Sequence, residues 1–257
     1  MTYIERSSVS AENNTPLLSI VTEVMNGADH IQQTIDSVVS QDYTNVEYIV
    51  VDGGSTDGTI DIIEANRDKI DHVISEPDTG IYDAINKGIR LAHGDLVGII
   101  ASNDWYSDNI FAYVINEHKK NSHAILYGIV KVYMDERFCG IEGHPVEWLR
   151  NGMLPHSTIF VPRKVYLEHG TFNISYRIAA DYDAMIRYWR ANVPFSFCDR
   201  VLANVRVGGI SSSPLSAIEQ KAVMKKHGFI AEEHETLSRR LLKKAFNSSV
   251  DWIREKF

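Results

Sequence analysis

Residues 46–63 read "VEYIVVDGGSTDGTIDII", and this stretch decides the fold. "VEYIVV" is a short apolar run bounded by turn residues, which predicts a buried strand. The run stops at Asp52, a glycine-rich turn follows, and a helix is predicted from Thr59. An apolar strand that feeds a helix through a short turn is the unit of a parallel sheet covered on both faces.

The same unit recurs on either side. "LLSIVTEV" (17–24), "DHVIS" (71–75), "LVGIIA" (96–101) and "AILYGIVKVYM" (124–134) predict strands, with helices between them. One helix should bury Ile31, Ile35, Val38 and Val39, and another, over residues 80–92, should bury Ile81, Ala84, Ile85 and Ile89. The alternation predicts an α/β fold with a mostly parallel sheet, sandwiched by helices and joined by right-handed crossovers. From about Phe138 the order changes to a hairpin, a short helix near 146–151 and a strand "HSTIFV". Helices at 163–169 and 181–191 follow, then strands "FSFC" and "LANVRV", a mobile loop "GGISSSP" (208–214) and two closing helices.

Composition narrows the function. The 257 residues carry a formal charge of −8, which argues against a nucleic-acid binder and its basic stripe. Two cysteines, Cys139 and Cys198, lack metal-ligand spacing and point to a reducing compartment. No signal-peptide pattern is visible, and no apolar stretch approaches the roughly 18–20 residues of a membrane span. A cytoplasmic location is expected.

Ligands of open parallel sheets sit beyond the carboxyl ends of the strands. Three loops meet there: the one after Val24, the one starting at Asp52, and "SNDW", which holds Asp104. Asp52 can accept a hydrogen bond from a base or ribose, while the loop also suits a tight turn with Asp57 or Thr59 capping the helix; Asp104 is either a metal ligand or a turn residue. The usual nucleotide loops are missing. The segment after the first strand has the lone Gly27 instead of G-x-G-x-x-G, and no G-K-[ST] occurs.

"SIVTEVMNG", "TIDSVVSQDYTNVEYIVVDGGSTDGTIDII", "SEPDTGIYDAINKGIRLAHGD" and "IIASNDWY" together resemble the family 2 nucleotide-sugar glycosyltransferases, which have the GT-A fold. A weaker likeness continues through "PHSTIFVPRKVYLEHGTFNISYRIAADYDAMIRYWR" and "LANVRVGGISSS". The resemblance implies inverting transfer of a hexose or N-acetylhexosamine from a UDP-sugar to an acceptor hydroxyl in bacterial surface-glycan assembly (O-antigen, capsule or exopolysaccharide). The alternative on the same fold is a noncatalytic or hydrolytic nucleotide-sugar-binding domain.

By that likeness, Asp104 is the ligand of a divalent cation, Mn²⁺ or Mg²⁺, which neutralises the leaving diphosphate. Asn103 stands where relatives more often have Asp. Nucleotide contacts fall on Thr22, Val24, Asn26, Asp52, Gly53, Asp83, Asn86, Lys87, Ser102, Asn103 and Arg206. Asp83 and Lys87 equally suit an i,i+4 ion pair. The catalytic base falls on Asp181, with Asp183 a second choice because i and i+2 do not share a helix face. Asp181 also suits a helix cap, and His156 is either an acceptor-side group or a structural histidine.

The chain then divides into a loose arm (1–16), a nucleotide-sugar-binding half (17–106), an acceptor-side half with the base and the mobile loop (107–214), and C-terminal amphipathic helices (215–257). Basic and apolar residues alternate through 235–257, which suits an anionic membrane surface at the inner face of the plasma membrane or packing against protein. The acceptor implied is a glycan, with a polyprenyl-diphosphate-linked one in view, and a homodimer stays open.

Overall fold

In a computed structural model, residues 15–209 and 213–230 are described. Most of the predicted arm, residues 210–212 of the predicted mobile loop and the basic stretch 235–257 lie outside the described residues.

Strands β1 (Leu18–Val24), β2 (Val46–Asp52), β3 (His72–Ser75) and β4 (Leu96–Ile99) pair in parallel in the order β3-β2-β1-β4. Their connections run through α1 (Ile31–Val39), α2 (Thr59–Ala65) and α3 (Ile81–Leu91). Every residue of β1 is buried, and every residue of β2 after Val46, as the apolar runs demand. The sheet continues through β8 (Phe160–Pro162), β6 (Ile125–Met134), β9 (Phe195–Arg206) and β5 (Trp105–Tyr106), with β7 (Arg137–Glu142) paired to β6. This half is mixed: β6 and β9 run parallel, while β8, β7 and β5 pair antiparallel with their neighbours.

Helices α4 (Phe111–Lys120), α5 (Arg163–His169), α6 (Ala180–Arg190) and α7 (Pro214–Lys226) complete the described chain. Two apolar cores lie on the two faces of the sheet. Ile20, Val24, Ile35 and Phe111 belong to the face under α1 and α4, and Val21, Ile85, Tyr182 and Ile186 to the face under α3 and α6. Val39 is 40% exposed, so α1 buries Thr34 in its place. A Cβ on Gly88 would lie 2.4 Å from Val21 Cγ1, so only glycine lets α3 sit this close on β1.

Three local predictions differ from the structure. The strand expected over 156–161 begins only at Phe160, because His156–Thr158 form a 3₁₀ turn. The two strands expected within 195–207 are one, β9, which keeps its pairing through register shifts opposite Gly128–Val130. The two-residue β5, directly after Asp104, was not anticipated.

Candidate active site

The carboxyl ends of β1 and β4 open into a cavity of about 470 Å³. Its walls carry Glu23 from β1, Tyr82 from α3, Asp104, His156, Asp181 from α6 and Arg206 from β9. Residues separated by more than a hundred positions therefore share one space.

Asp104 follows a tight turn in which its own N–H bonds Ala101 O at 2.9 Å. Its side chain caps no helix, since α4 starts later and has no side-chain cap. It points into the cavity, where Oδ2 accepts from Ser157 Oγ at 2.7 Å and Oδ1 from Arg206 N at 3.2 Å. Burial pushes its carboxyl up to about 6, against those hydrogen bonds and the Arg206 charge. Asn103 lines the same end of the cavity, and its carbonyl accepts from Arg206 Nη1 at 2.9 Å.

Arg206 is the last residue of β9, not part of a glycine-rich loop. Its guanidinium sits over Trp105, 4.5 Å from the ring centroid, and reaches Gln33 at 2.6 Å and Glu136 at 3.2 Å. These contacts hold the cation in place beside Asp104, while Nε is buried without a hydrogen-bond partner.

Asp181, also in the cavity lining, lies in the first turn of α6. The N–H groups leading into that helix, those of Arg177, Ile178 and Ala179, are taken by the Glu219 carboxylate of α7. That leaves Asp181 free of the capping role, and its Oδ1 accepts from Tyr82 Oη and Tyr182 N, each at 2.8 Å. His156 lines the cavity too, edge-on to Phe172. Burial holds its imidazole below the usual histidine range, with nearby Asp181 acting the other way.

Asp183 is turned away from the cavity. It is 1% exposed and accepts from Lys226 at 2.8 Å, His227 at 2.9 Å and Arg187 at 3.2 Å. Burial works to raise its carboxyl, but the Lys226 and His227 hydrogen bonds and the neighbouring positive charges win and hold it low. The group fastens α7 to α6.

The remaining sequence candidates lie outside the cavity lining. Asp52 is fully buried and accepts from Gly54 N, Ser55 N and Ser75 Oγ at 2.8–3.2 Å, so it braces its turn. Thr22 and Val24 are buried on β1. Thr22 Oγ1 lies 3.1 Å from Tyr48 Oη, Val24 packs in the core under α1, and the Val24 carbonyl accepts from Gly53 N. Asn26, at φ +53°, joins the loop after β1 to Ser55 and Thr56. Ser102 offers its carbonyl to Thr34. Asp83 accepts from Thr79 N and lies 3.6 Å from Lys87, which also pairs with Glu76 at 3.0 Å, so the ion pair is present. Asn86 is buried and bonds both backbone groups of Phe172.

Sequence reasoning passed over Glu23, Ser157 and Tyr82. Glu23 is the most unusual: 7% exposed, with Oε2 lacking any partner. Burial pushes its carboxyl up to about 8, helped by the charge of Asp104 and opposed by a backbone hydrogen bond. A carboxylate in an all-buried strand was the available signal.

Hard divalent cations take carboxylate and amide oxygens. Asp104 and Asn103 supply that donor type at one cavity, so the residues fit such an ion. Among the described residues, the one three-residue cluster with metal-ligand atoms close together is elsewhere: Glu47, His72 and His93. Glu47 and His72 start β2 and β3, at the opposite end of the strands. Glu47 Oε1 accepts from His93 Nδ1 at 2.8 Å and meets His72 Nε2 at 3.3 Å, while Oε2 takes Ser19 Oγ and His93 N.

The curled α/β sheet with its helix layers is the GT-A architecture, and the S. aureus TarS structures share it. Residues 1–349 of TarS in complex with UDP-GlcNAc superpose with a TM-score of 0.69 at 17% identity, covering 93% of this chain and 74% of that one. The complex with UDP gives 0.67 at 19% identity, covering 93% and 73%. A sequence profile described as Glycosyl transferase family 2 matches residues 19–181, more than half of the chain, and this chain belongs to that family. It is 30% identical over 210 residues to an uncharacterized glycosyltransferase of Rickettsia typhi, covering 75% of this chain and 64% of that protein. It is also 30% identical over 179 residues to a PGL/p-HBAD biosynthesis glycosyltransferase of Mycobacterium bovis, covering 67% and 69%. The match spans as little as 34% of another rickettsial relative, from Rickettsia felis. No described helix is long and apolar enough to cross a membrane.

Proposed function

We propose that this chain transfers a hexose or N-acetylhexosamine from a UDP-sugar to the hydroxyl of a glycan acceptor, with inversion. The observation that carries the reading is that one cavity is lined both by Asp104 with Arg206 and by Tyr82-bound Asp181. An inverting displacement needs a group for the leaving diphosphate and a base for the acceptor in one site.

Arg206 and the Asp104 end hold the diphosphate. Asp104, with Asn103 beside it, would ligate a divalent cation there, which supplies charge neutralisation to the departing UDP. Asp181 takes the acceptor proton while the acceptor oxygen bonds to the anomeric carbon. The bond from that carbon to the phosphate oxygen breaks, and its electron pair leaves with UDP. Tyr82 orients Asp181 through its 2.8 Å hydrogen bond, and His156 lies on the acceptor side. Asn26, Asp83 and Lys87, outside the cavity lining, are the nucleoside contacts this reading assigns, with Asp52 and Gly53 shaping the turn beside them. Bacterial surface-glycan assembly, on a carrier at the inner membrane face, is the setting proposed.

The test is incubation with UDP-glucose, UDP-galactose and UDP-GlcNAc plus Mn²⁺, with and without glycan acceptors, read by anomeric-proton NMR. A new glycoside of inverted configuration supports the reading. Free sugar alone in every mixture identifies a hydrolase, and unchanged nucleotide-sugars identify a noncatalytic domain.

A further inference from the structure

Glu23 is the buried carboxyl group in the cavity that the proposed chemistry leaves without a task. It lies on β1, whose seven residues are all buried. Side chains alternate along a strand, so Glu23 shares the face of Val21, under α3 and α6, and not the face of Ile20 and Val24. On that face it lines the cavity together with Tyr82, Ile85, Asp104 and Asp181. The other three carboxylates are engaged, Asp104 by Ser157 and Arg206, Asp181 by Tyr82, and Glu142 by His144. Glu23 Oε2 is buried and has no partner. Buried polar atoms are nearly always hydrogen-bonded, and an exception on a side chain that lines a cavity calls for a partner from that cavity.

We propose that the Glu23 carboxyl hydrogen-bonds a ring hydroxyl of the sugar being transferred, and so helps to select which sugar is used. The inference rests on the nucleotide-sugar reading above. In that reading the sugar lies between the Asp104–Arg206 group and Asp181, because its anomeric carbon is bound to the diphosphate and attacked from the base side. Glu23 lines the cavity that holds both. A site built to bond a hydroxyl rejects sugars that lack it or present it on the other face, since the buried carboxyl would stay unpaired.

The experiment is titration calorimetry with Mn²⁺ on the wild type, Glu23→Val and Glu23→Gln, using UDP and then UDP-glucose, UDP-galactose and UDP-GlcNAc. Thermal melting confirms that each variant is folded, and Glu23→Gln serves if Glu23→Val is not. The wild type should bind UDP, and at least one UDP-sugar should weaken about tenfold in Glu23→Val while UDP changes less than about twofold. Glu23→Gln, which keeps hydrogen-bonding capacity, should retain UDP affinity and shift the order of preference among the sugars. Equal losses for UDP and UDP-sugars would overturn the proposal by placing Glu23 at the cation or nucleotide, as would unchanged affinities and order in both variants. A wild type that binds the UDP-sugars but shows no dependence on Glu23 defeats this inference alone. One that binds neither UDP nor any UDP-sugar defeats the underlying reading, and the inference with it.

Discussion

The Tyr82 hydroxyl lies 2.8 Å from Asp181 Oδ1, and this bond links α3 to α6 in the lining of the cavity. The same hydroxyl also bonds the Ile178 carbonyl. A proton acceptor held by a neighbour whose ring is itself buried is positioned before substrate arrives. Tyr82→Phe should therefore lower kcat about tenfold and change the KM for the nucleotide-sugar less than about twofold. Steady-state kinetics check this; an unchanged kcat removes the positioning role.

Asp181 and Asp183 are two residues apart and should behave oppositely. Asp181→Asn should reduce turnover by about 10² to 10⁴ with UDP affinity retained, the range for loss of a general base. Asp183→Ala removes a buried carboxylate that holds Lys226, His227 and Arg187. It should cost about 3 kcal/mol of stability, with half-exposed Lys226 contributing little. Denaturant unfolding and initial rates on both variants separate the two roles.

The same pair gives a pH dependence. The Asp183 carboxyl is held below its unfolded value, so its contribution is present above the unfolded pKa and is lost as pH falls through the folded one. In the wild type, stability should drop on acidification through that window. The drop should be smaller in Asp183→Ala, measured by urea midpoints across the acid range.

Glu23 has the reverse sign. Its carboxyl is raised from 4.5 to about 8 by burial, so the unfolded chain loses this proton first and the folded state is penalised as pH rises between those values. Glu23→Gln should change the melting temperature little at pH 5 and raise it by roughly 10 °C at pH 8.5. Melts in EDTA, free of divalent cations, make the comparison; a pH-independent difference would contradict the buried-acid account.

How legible the site was depends on how local its determinants are. The first four strands follow from apolar runs bounded by turns, and their parallel order from the helices between them. Asp104 and Asp181 stood out because each follows a recognisable local pattern. Glu23 did not, because it sits inside a run that reads as apolar, and its meaning comes from the α3 and α6 residues packed over it. Ser157 was hidden in a segment read as strand, where the chain forms a 3₁₀ turn that aims its hydroxyl at Asp104. Arg206 fell in a predicted strand, but its place beside Asp104 comes from the long-range pairing of β9 with β6 and β5. Asn86 matched a helix pattern, yet its partner Phe172 is 86 positions away. Contacts of that separation leave no mark on the local sequence.

The central claim is that the Asp104 end of the cavity binds a nucleotide diphosphate together with a divalent cation. Calorimetry of UDP with and without Mn²⁺, on the wild type and Asp104→Ala, tests it most directly. The account predicts Mn²⁺-dependent UDP binding by the wild type, weakened at least about tenfold in Asp104→Ala, the scale of a lost charge-assisted contact. No heat of UDP binding by the wild type in Mn²⁺, or equal affinity in the variant, would contradict it.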